Sequence, residues 1–246
     1  MEIIIVNNYD EMSAEAANVF AQLLQAKHNA VLGLATGSTP EGLYARLVQM
    51  YEEKVIDFEA VTCFNLDEYA GLSPDHPQSY QYYMDYHLYS KVNVKKDKVH
   101  IPSCNTESIE TACREYDRKI KEAGGIDLQI LGLGVNGHIG FNEPADQLHL
   151  NTHLVNLAKE TIEENSRFFS AKEDVPRQAI TMGVGTIMSA ERIVLLASGE
   201  KKAEAVRQMA CGRLSTQHPA SLLQLHQDAL VIIDMDAASL LEEDAR

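Results

Sequence analysis

A chain of 246 residues that is 45% hydrophobic and 23% charged has the composition of an ordinary globular protein, with length enough to bury one large core or two small ones. Its 36 acidic against 21 basic residues give a formal net charge of −15, which argues against nucleic acid or an anionic membrane as partner, since both demand a basic footprint. A small anionic ligand stays open, because it needs only a local cluster of donors.

The apolar run at residues 3–6 predicts a first buried strand. It is far too short for a signal peptide or a spanning helix, and no later run exceeds strand length, so a cytoplasmic protein is expected. Residues 13–27 predict an amphipathic helix, with Ala16, Val19, Phe20, Leu23 and Leu24 on one face. The unalternating run 30–35 predicts a strand buried on both faces, as in a parallel sheet covered by helices. Thr36-Gly37-Ser38-Thr39-Pro40 follows, with Thr39 as the expected N-cap and Pro40 as the first residue of a helix running to about Met50. Strands are further expected at 61–66, 126–133, 193–197 and 229–234, and helices at about 79–90, 107–123 and 200–210. Such alternation predicts a single α/β domain over residues 1–246, a doubly wound, Rossmann-like and mostly parallel sheet with helices on both faces. Cys63, Cys104, Cys113 and Cys211 show no C-x-x-C spacing and read as free thiols of a reducing compartment.

Ligands of open parallel sheets bind beyond the carboxyl ends of the strands, and four segments lie there. Thr36 to Pro40 offers hydroxyls, backbone N–H groups and a helix N-terminus, which suit a phosphate, although a capped turn without ligand has the same look. Asp67 and Glu68 close the strand at 61–66. Asp67 reads equally as a turn cap or as a partly desolvated base, and Glu68 as a solvated side chain. The stretch 131–144 holds four glycines in nine residues together with His138 and Glu143. A loop histidine oriented by a nearby carboxylate is equipped for proton transfer, whereas a metal would need a third ligand that the local sequence does not offer. Ser198-Gly199, with Lys201 and Lys202 just after, is the fourth segment, and Arg167, Lys201 and Lys202 are candidate phosphate partners or plain solvated cations. Tyr80, Tyr82, Tyr83, Tyr86 and Tyr89 read as helix packing rather than sugar contacts.

Leu34 to Pro40, Asn65-Leu66-Asp67-Glu68-Tyr69, Gly137-His138-Ile139-Gly140-Phe141-Asn142-Glu143-Pro144 and Asn165-Ser166-Arg167-Phe168-Phe169 together resemble the glucosamine-6-phosphate deaminases, over about residues 3–234. The resemblance implies a cofactor-independent, metal-free conversion of glucosamine 6-phosphate and water to fructose 6-phosphate and ammonia, in amino-sugar catabolism. It implies Asp67 as the base between C2 and C1, and His138, oriented by Glu143, as the group serving the ring oxygen. Gly37, Ser38, Thr39, Arg167 and Lys202 would hold the 6-phosphate, and a segment over residues 157–177 would act as a lid. The glycines of the His138 stretch would then serve sugar access.

The related 6-phosphogluconolactonases share the fold and loop order but lack the Phe-Asn-Glu-Pro ending. A lactonase, or a non-catalytic sugar-phosphate sensor, is the alternative. Position 136 is Asn where part of the family has Asp, so Asn136 can accept a hydrogen bond from the ring but stabilises an imidazolium less. The chain stops at Arg246, like the family's shorter members, whereas longer relatives are hexamers activated by N-acetylglucosamine 6-phosphate. A monomer or small homo-oligomer with little such activation is the expectation.

Overall fold

A computed structural model describes residues 1–103, 108–169 and 171–241. Seven parallel strands form one sheet in the order β1-β10-β9-β6-β2-β3-β5. They are β1 (Glu2–Val6), β2 (Val31–Leu34), β3 (Thr62–Asn65), β5 (Val99–His100), β6 (Leu128–Gly132), β9 (Arg192–Ala197) and β10 (Ala229–Asp234). The helices α1 (Tyr9–Ala26), α2 (Glu41–Glu52), α3 (Tyr80–His87), α4 (Ile109–Glu122) and α7 (Ala203–Cys211) connect them. From β2 the chain moves outward to β3 and β5, then returns to the other side of β2 at β6. That reversal opens a crevice above the carboxyl ends of β2 and β6. The central strands are buried throughout, as in Leu32, Leu34, Ile130, Leu195 and Ile232, which is why their sequences run apolar without alternation. The expected doubly wound α/β sheet is therefore present.

A second sheet, unexpected from the sequence, joins β4 (Asp67–Tyr69), β8 (Gln178–Thr181) and β7 (His153–Asn156) antiparallel. Between its last two strands lies α5 (Lys159–Asn165), and α6 (Val184–Met188) follows β8. Its strands are short, and β7 is only partly buried, so neither a continuous apolar run nor a clean alternation marks them. Its consequence for the site is direct. Asp67 and Glu68 do not end a strand of the main sheet; Leu66 hands the chain to β4, donating to Leu34 O and accepting from Met182 N. A small apolar cluster of Tyr69, Phe141, Leu157 and Ala179 holds this sheet in place.

Element boundaries shift where side chains from elsewhere intervene. The first helix starts at Tyr9, four residues before the expected Ser13, because Asn8 caps Glu11 N while the Glu11 carboxylate accepts from Asn7 N. Thr39 is not the cap of α2. Pro40 holds that position without a side-chain cap, and the Tyr9 hydroxyl instead accepts from Gly42 N at 2.8 Å. The expected helix over 79–90 is α3, capped by Ser79 and followed by a separate 3-10 turn at Tyr89–Lys91. Residues 200–202 are likewise a 3-10 turn before α7. Helix α4 begins after Ser108; Glu107, Cys104, Ser170 and Arg246 lie outside the described residues, as does the side chain of Cys211. Cys63 and Cys113 are free and buried, and burial holds the Cys63 thiol up to about 12.

Candidate active site

The loops after β2, β6 and β9 and the strand β4 surround a cavity of about 490 Å³. Gly37, Ser38, Thr39, Asp67, His138 and Arg167 line it, as do both Lys201 and Lys202. Asn136 and Glu143 do not line it and reach it through His138. Among the described residues no group of three or more His, Cys, Asp or Glu side chains is placed to hold a metal ion.

One end is built to take an anion. Tyr83 Oη donates to Gly37 O at 2.7 Å and Tyr9 Oη to Ser38 O at 3.0 Å. A trans peptide places N–H opposite C=O, so fixing these two carbonyls on tyrosines outside the loop turns the N–H groups of Ser38 and Thr39 the other way. The N-terminus of α2 begins two residues later, adding its dipole. Arg167 Nη2 lies 3.5 Å from Ser38 Oγ, and the turn bearing Lys201 and Lys202 lines the same cavity. That turn is braced from below. Asp234 accepts from Gly199 N at 3.0 Å, from Ala237 N at 2.8 Å and from the Ser198 hydroxyl.

Of the two neighbouring carboxylates on β4, Asp67 lines the cavity and Glu68 does not. Asp67 is 5% exposed, and burial, with the Glu68 carboxylate beside it, holds its carboxyl well above the usual range. A carboxylate so placed is a stronger base than one in water. Glu68 is not solvated as expected but 8% exposed. It accepts from Tyr69 N at 2.8 Å and from Tyr80 N and Gln81 N at 2.9 Å each, which ties the start of α3 to β4. Burial raises the Glu68 carboxyl and these three N–H groups oppose the rise.

His138 lines the same cavity as Asp67. Asn136 Oδ1 lies 2.7 Å from its Nδ1 and Glu143 Oε2 lies 3.3 Å from it. Asn136 Nδ2 donates to the same Glu143 oxygen at 2.8 Å. An ionised carboxylate only accepts, so the amide nitrogen belongs on Glu143 and the amide oxygen on the ring. In the neutral ring that assigns the proton to Nδ1 and leaves Nε2 the basic nitrogen. Burial acts to raise the Glu143 carboxyl, but contacts with His138, with the Thr161 hydroxyl and with Asn136 outweigh it and hold it below the usual range.

The glycines around His138 have a use other than sugar access. A Cβ on Gly134 would stand 2.3 Å from the His138 ring, and one on Gly137 2.1 Å from the His218 ring. Gly137 also has φ 85°, where L side chains are strained. These two glycines therefore seat imidazole rings, and His138 owes its position to packing against bare backbone.

Sequence reasoning missed two contributors. The sequence pattern reads Tyr80 as helix packing, whereas Tyr82 and Tyr86 are exposed and Tyr80 alone of the three lines the cavity. Its ring stacks at 9° to Phe141 with centroids 6.2 Å apart, forming a flat wall. Thr161, on α5, is the other. Nothing in a run of five tyrosines within ten residues singles out Tyr80, and Thr161 is ordinary in its helix.

The family described as glucosamine-6-phosphate isomerases/6-phosphogluconolactonase matches residues 7–232. A glucosamine-6-phosphate deaminase of Thermoanaerobacter sp. (strain X514) is 54% identical over 244 residues, 99% of this chain and 96% of that protein. One from Alkaliphilus metalliredigens is 54% identical over 242 residues, 98% of this chain and 100% of that protein. A solved structure of a monomeric glucosamine-6-phosphate deaminase superposes with a TM-score of 0.95 at 44% identity, covering 98% of this chain and 100% of that one. The 6-phosphogluconolactonase of Thermotoga maritima superposes at 0.75 with 20% identity, over 95% of this chain and 99% of that one, a likeness of fold alone. The chain belongs to the glucosamine-6-phosphate isomerase/6-phosphogluconolactonase family, among its glucosamine-6-phosphate deaminases.

Proposed function

We propose that the protein converts glucosamine 6-phosphate and water to fructose 6-phosphate and ammonia, with Asp67 and His138 as separate proton carriers. The observation that carries the reading is the presence of two acid/base devices in one cavity. Opening a pyranose requires a proton at the ring oxygen and loss of one from the C1 hydroxyl. His138, oriented through Asn136 and Glu143, serves that exchange. The open-chain aldehyde then loses its C2 proton to Asp67, and the resulting enolamine regains it at C1. Water adds to the C2 imine so formed, and ammonia leaves. The buried and raised carboxyl of Asp67 suits a base at carbon. Hydrolysis of a lactone needs only one base to activate water and gives Asp67 no task.

The 6-phosphate belongs on Gly37, Ser38, Thr39, Arg167 and Lys202, with residues 157–177 as a lid whose Arg167 closes the site. Such lids exclude water and complete the catalytic set. We further read residues 1–246 as one domain, working in the cytoplasm as a monomer or small homo-oligomer with little activation by N-acetylglucosamine 6-phosphate. The monomeric state described for the 44% identical deaminase supports the small assembly; sedimentation tests that, and rate curves with and without that sugar test the activation. No helix among the described residues is long and apolar enough to cross a membrane.

The deciding experiment is a coupled assay. Ammonia and fructose 6-phosphate should appear in equal amounts from glucosamine 6-phosphate, while 6-phosphogluconolactone is not hydrolysed. Lactone hydrolysis without ammonia release would overturn the reading.

A further inference from the structure

Thr161 is 3% exposed, and its hydroxyl donates to Glu143 Oε1. The other oxygen of that carboxylate faces Asn136 and His138. One hydroxyl thus occupies the oxygen that the ring-opening group does not use. Four residues on, Asn165 meets the Tyr69 hydroxyl on the strand that carries Asp67. Two further on, Arg167 reaches Ser38 of the anion loop. The single segment 161–167 therefore touches all three working parts of the cavity.

We infer that Thr161 is a positioning residue that seats the Glu143 carboxylate on His138 when the segment carrying Arg167 is docked over the anion loop. The inference rests on the deaminase reading of the site. Its physical basis is the geometry of a carboxylate with two ends. With Oε1 held by Thr161, rotation about the terminal torsion is stopped and Oε2 stays aimed at Asn136 and the ring. Without the hydroxyl, Oε1 is left unsatisfied in a nearly closed environment, and the carboxylate turns to find another donor.

The test pairs Thr161→Val with Thr161→Ser and separates chemistry from binding. Thr161→Val should lower kcat for glucosamine 6-phosphate by about tenfold to a hundredfold, the loss expected for one hydrogen bond to a charged group. It should leave unchanged the Kd for 2-amino-2-deoxyglucitol 6-phosphate, which has the phosphate and amine but no ring to open. Thr161→Ser keeps the hydroxyl and should restore most of kcat. An unchanged kcat in Thr161→Val would overturn the inference. So would weaker alditol-phosphate binding in step with the loss of kcat, since Thr161 would then only hold the segment in place. Should Thr161→Val fail to fold, Thr161→Ala removes the hydroxyl with less crowding and is read by the same criteria. A wild-type protein that releases no ammonia would overturn the reaction itself and this inference with it. An active wild type matched by Thr161→Val would overturn only the role of Thr161.

Discussion

The Asn136 amide sits between two groups and serves both, its oxygen 2.7 Å from His138 Nδ1 and its nitrogen 2.8 Å from Glu143 Oε2. An aspartate at this position would keep the first contact and lose the second. Asn136→Asp removes a donor from Glu143 and places a like charge beside it, so the Glu143 carboxyl, now held below the usual range, moves up. Because the working form of Glu143 is ionised, the acidic limb of the kcat/KM profile should move to higher pH. A profile with its acidic limb unmoved would show that Asn136 does not govern the ionisation of the cluster.

Asp67 illustrates a site held at the expense of stability. Burial and Glu68 raise its carboxyl above the unfolded value of 3.8. A group raised in this way contributes stability that is complete below the unfolded value and is lost as pH rises through the folded one. Asp67→Asn cannot ionise and keeps that contribution at neutral pH. We expect kcat to fall by about 10²- to 10⁴-fold, substrate-analogue binding to persist, and Tm at pH 7 to rise by about 2–4 °C for each kcal/mol regained. The Tm advantage should narrow as pH is lowered toward 4. Thermal unfolding at several pH values checks this, and a neutral-pH Tm below wild type would contradict it.

Tyr83 and Tyr9 hold the two carbonyls of the anion loop from behind without lining its phosphate end. Tyr83→Phe should raise KM for the sugar phosphate about threefold to tenfold, the worth of one neutral hydrogen bond. Because the hydroxyl is remote from the reacting carbons, kcat should hold. Equal losses in KM and kcat would mean that the loop does more than receive the phosphate.

Glu68, in spite of its place next to Asp67, is predicted to matter for structure. Glu68→Gln keeps one acceptor oxygen for three N–H groups and turns a donor toward one of them, a change worth about 1–3 kcal/mol of stability. Chemical denaturation should show the loss. Tyr80, whose N–H is one of the three, lines the cavity, so a modest rise in KM should accompany it.

Much of the site was legible before folding because its parts are local. The Thr36 to Thr39 turn, the Asp67-Glu68 pair and the Asn136 to Glu143 stretch each announce a break after a buried apolar run, and parallel strands place all such breaks at one edge. The continuous apolar runs of β2, β9 and β10 likewise specify a sheet covered on both faces. Hydrophobic periodicity and turn chemistry act over a few residues, and sequence displays them directly.

What only the tertiary structure decided depends on partners far apart in the chain. Glu68 accepts from the first N–H groups of α3 and Asp67 is buried on a strand whose partners in the second sheet, β8 and β7, lie more than a hundred and about eighty-five residues on. Tyr9 and not Thr39 satisfies the first turn of α2, and Gly134 and Gly137 make room for imidazole rings. Thr161 gains its place only when α5 folds back over Glu143. Desolvation and hydrogen-bond partnership at these positions are set by what packs against them, and no local pattern of residues carries that information.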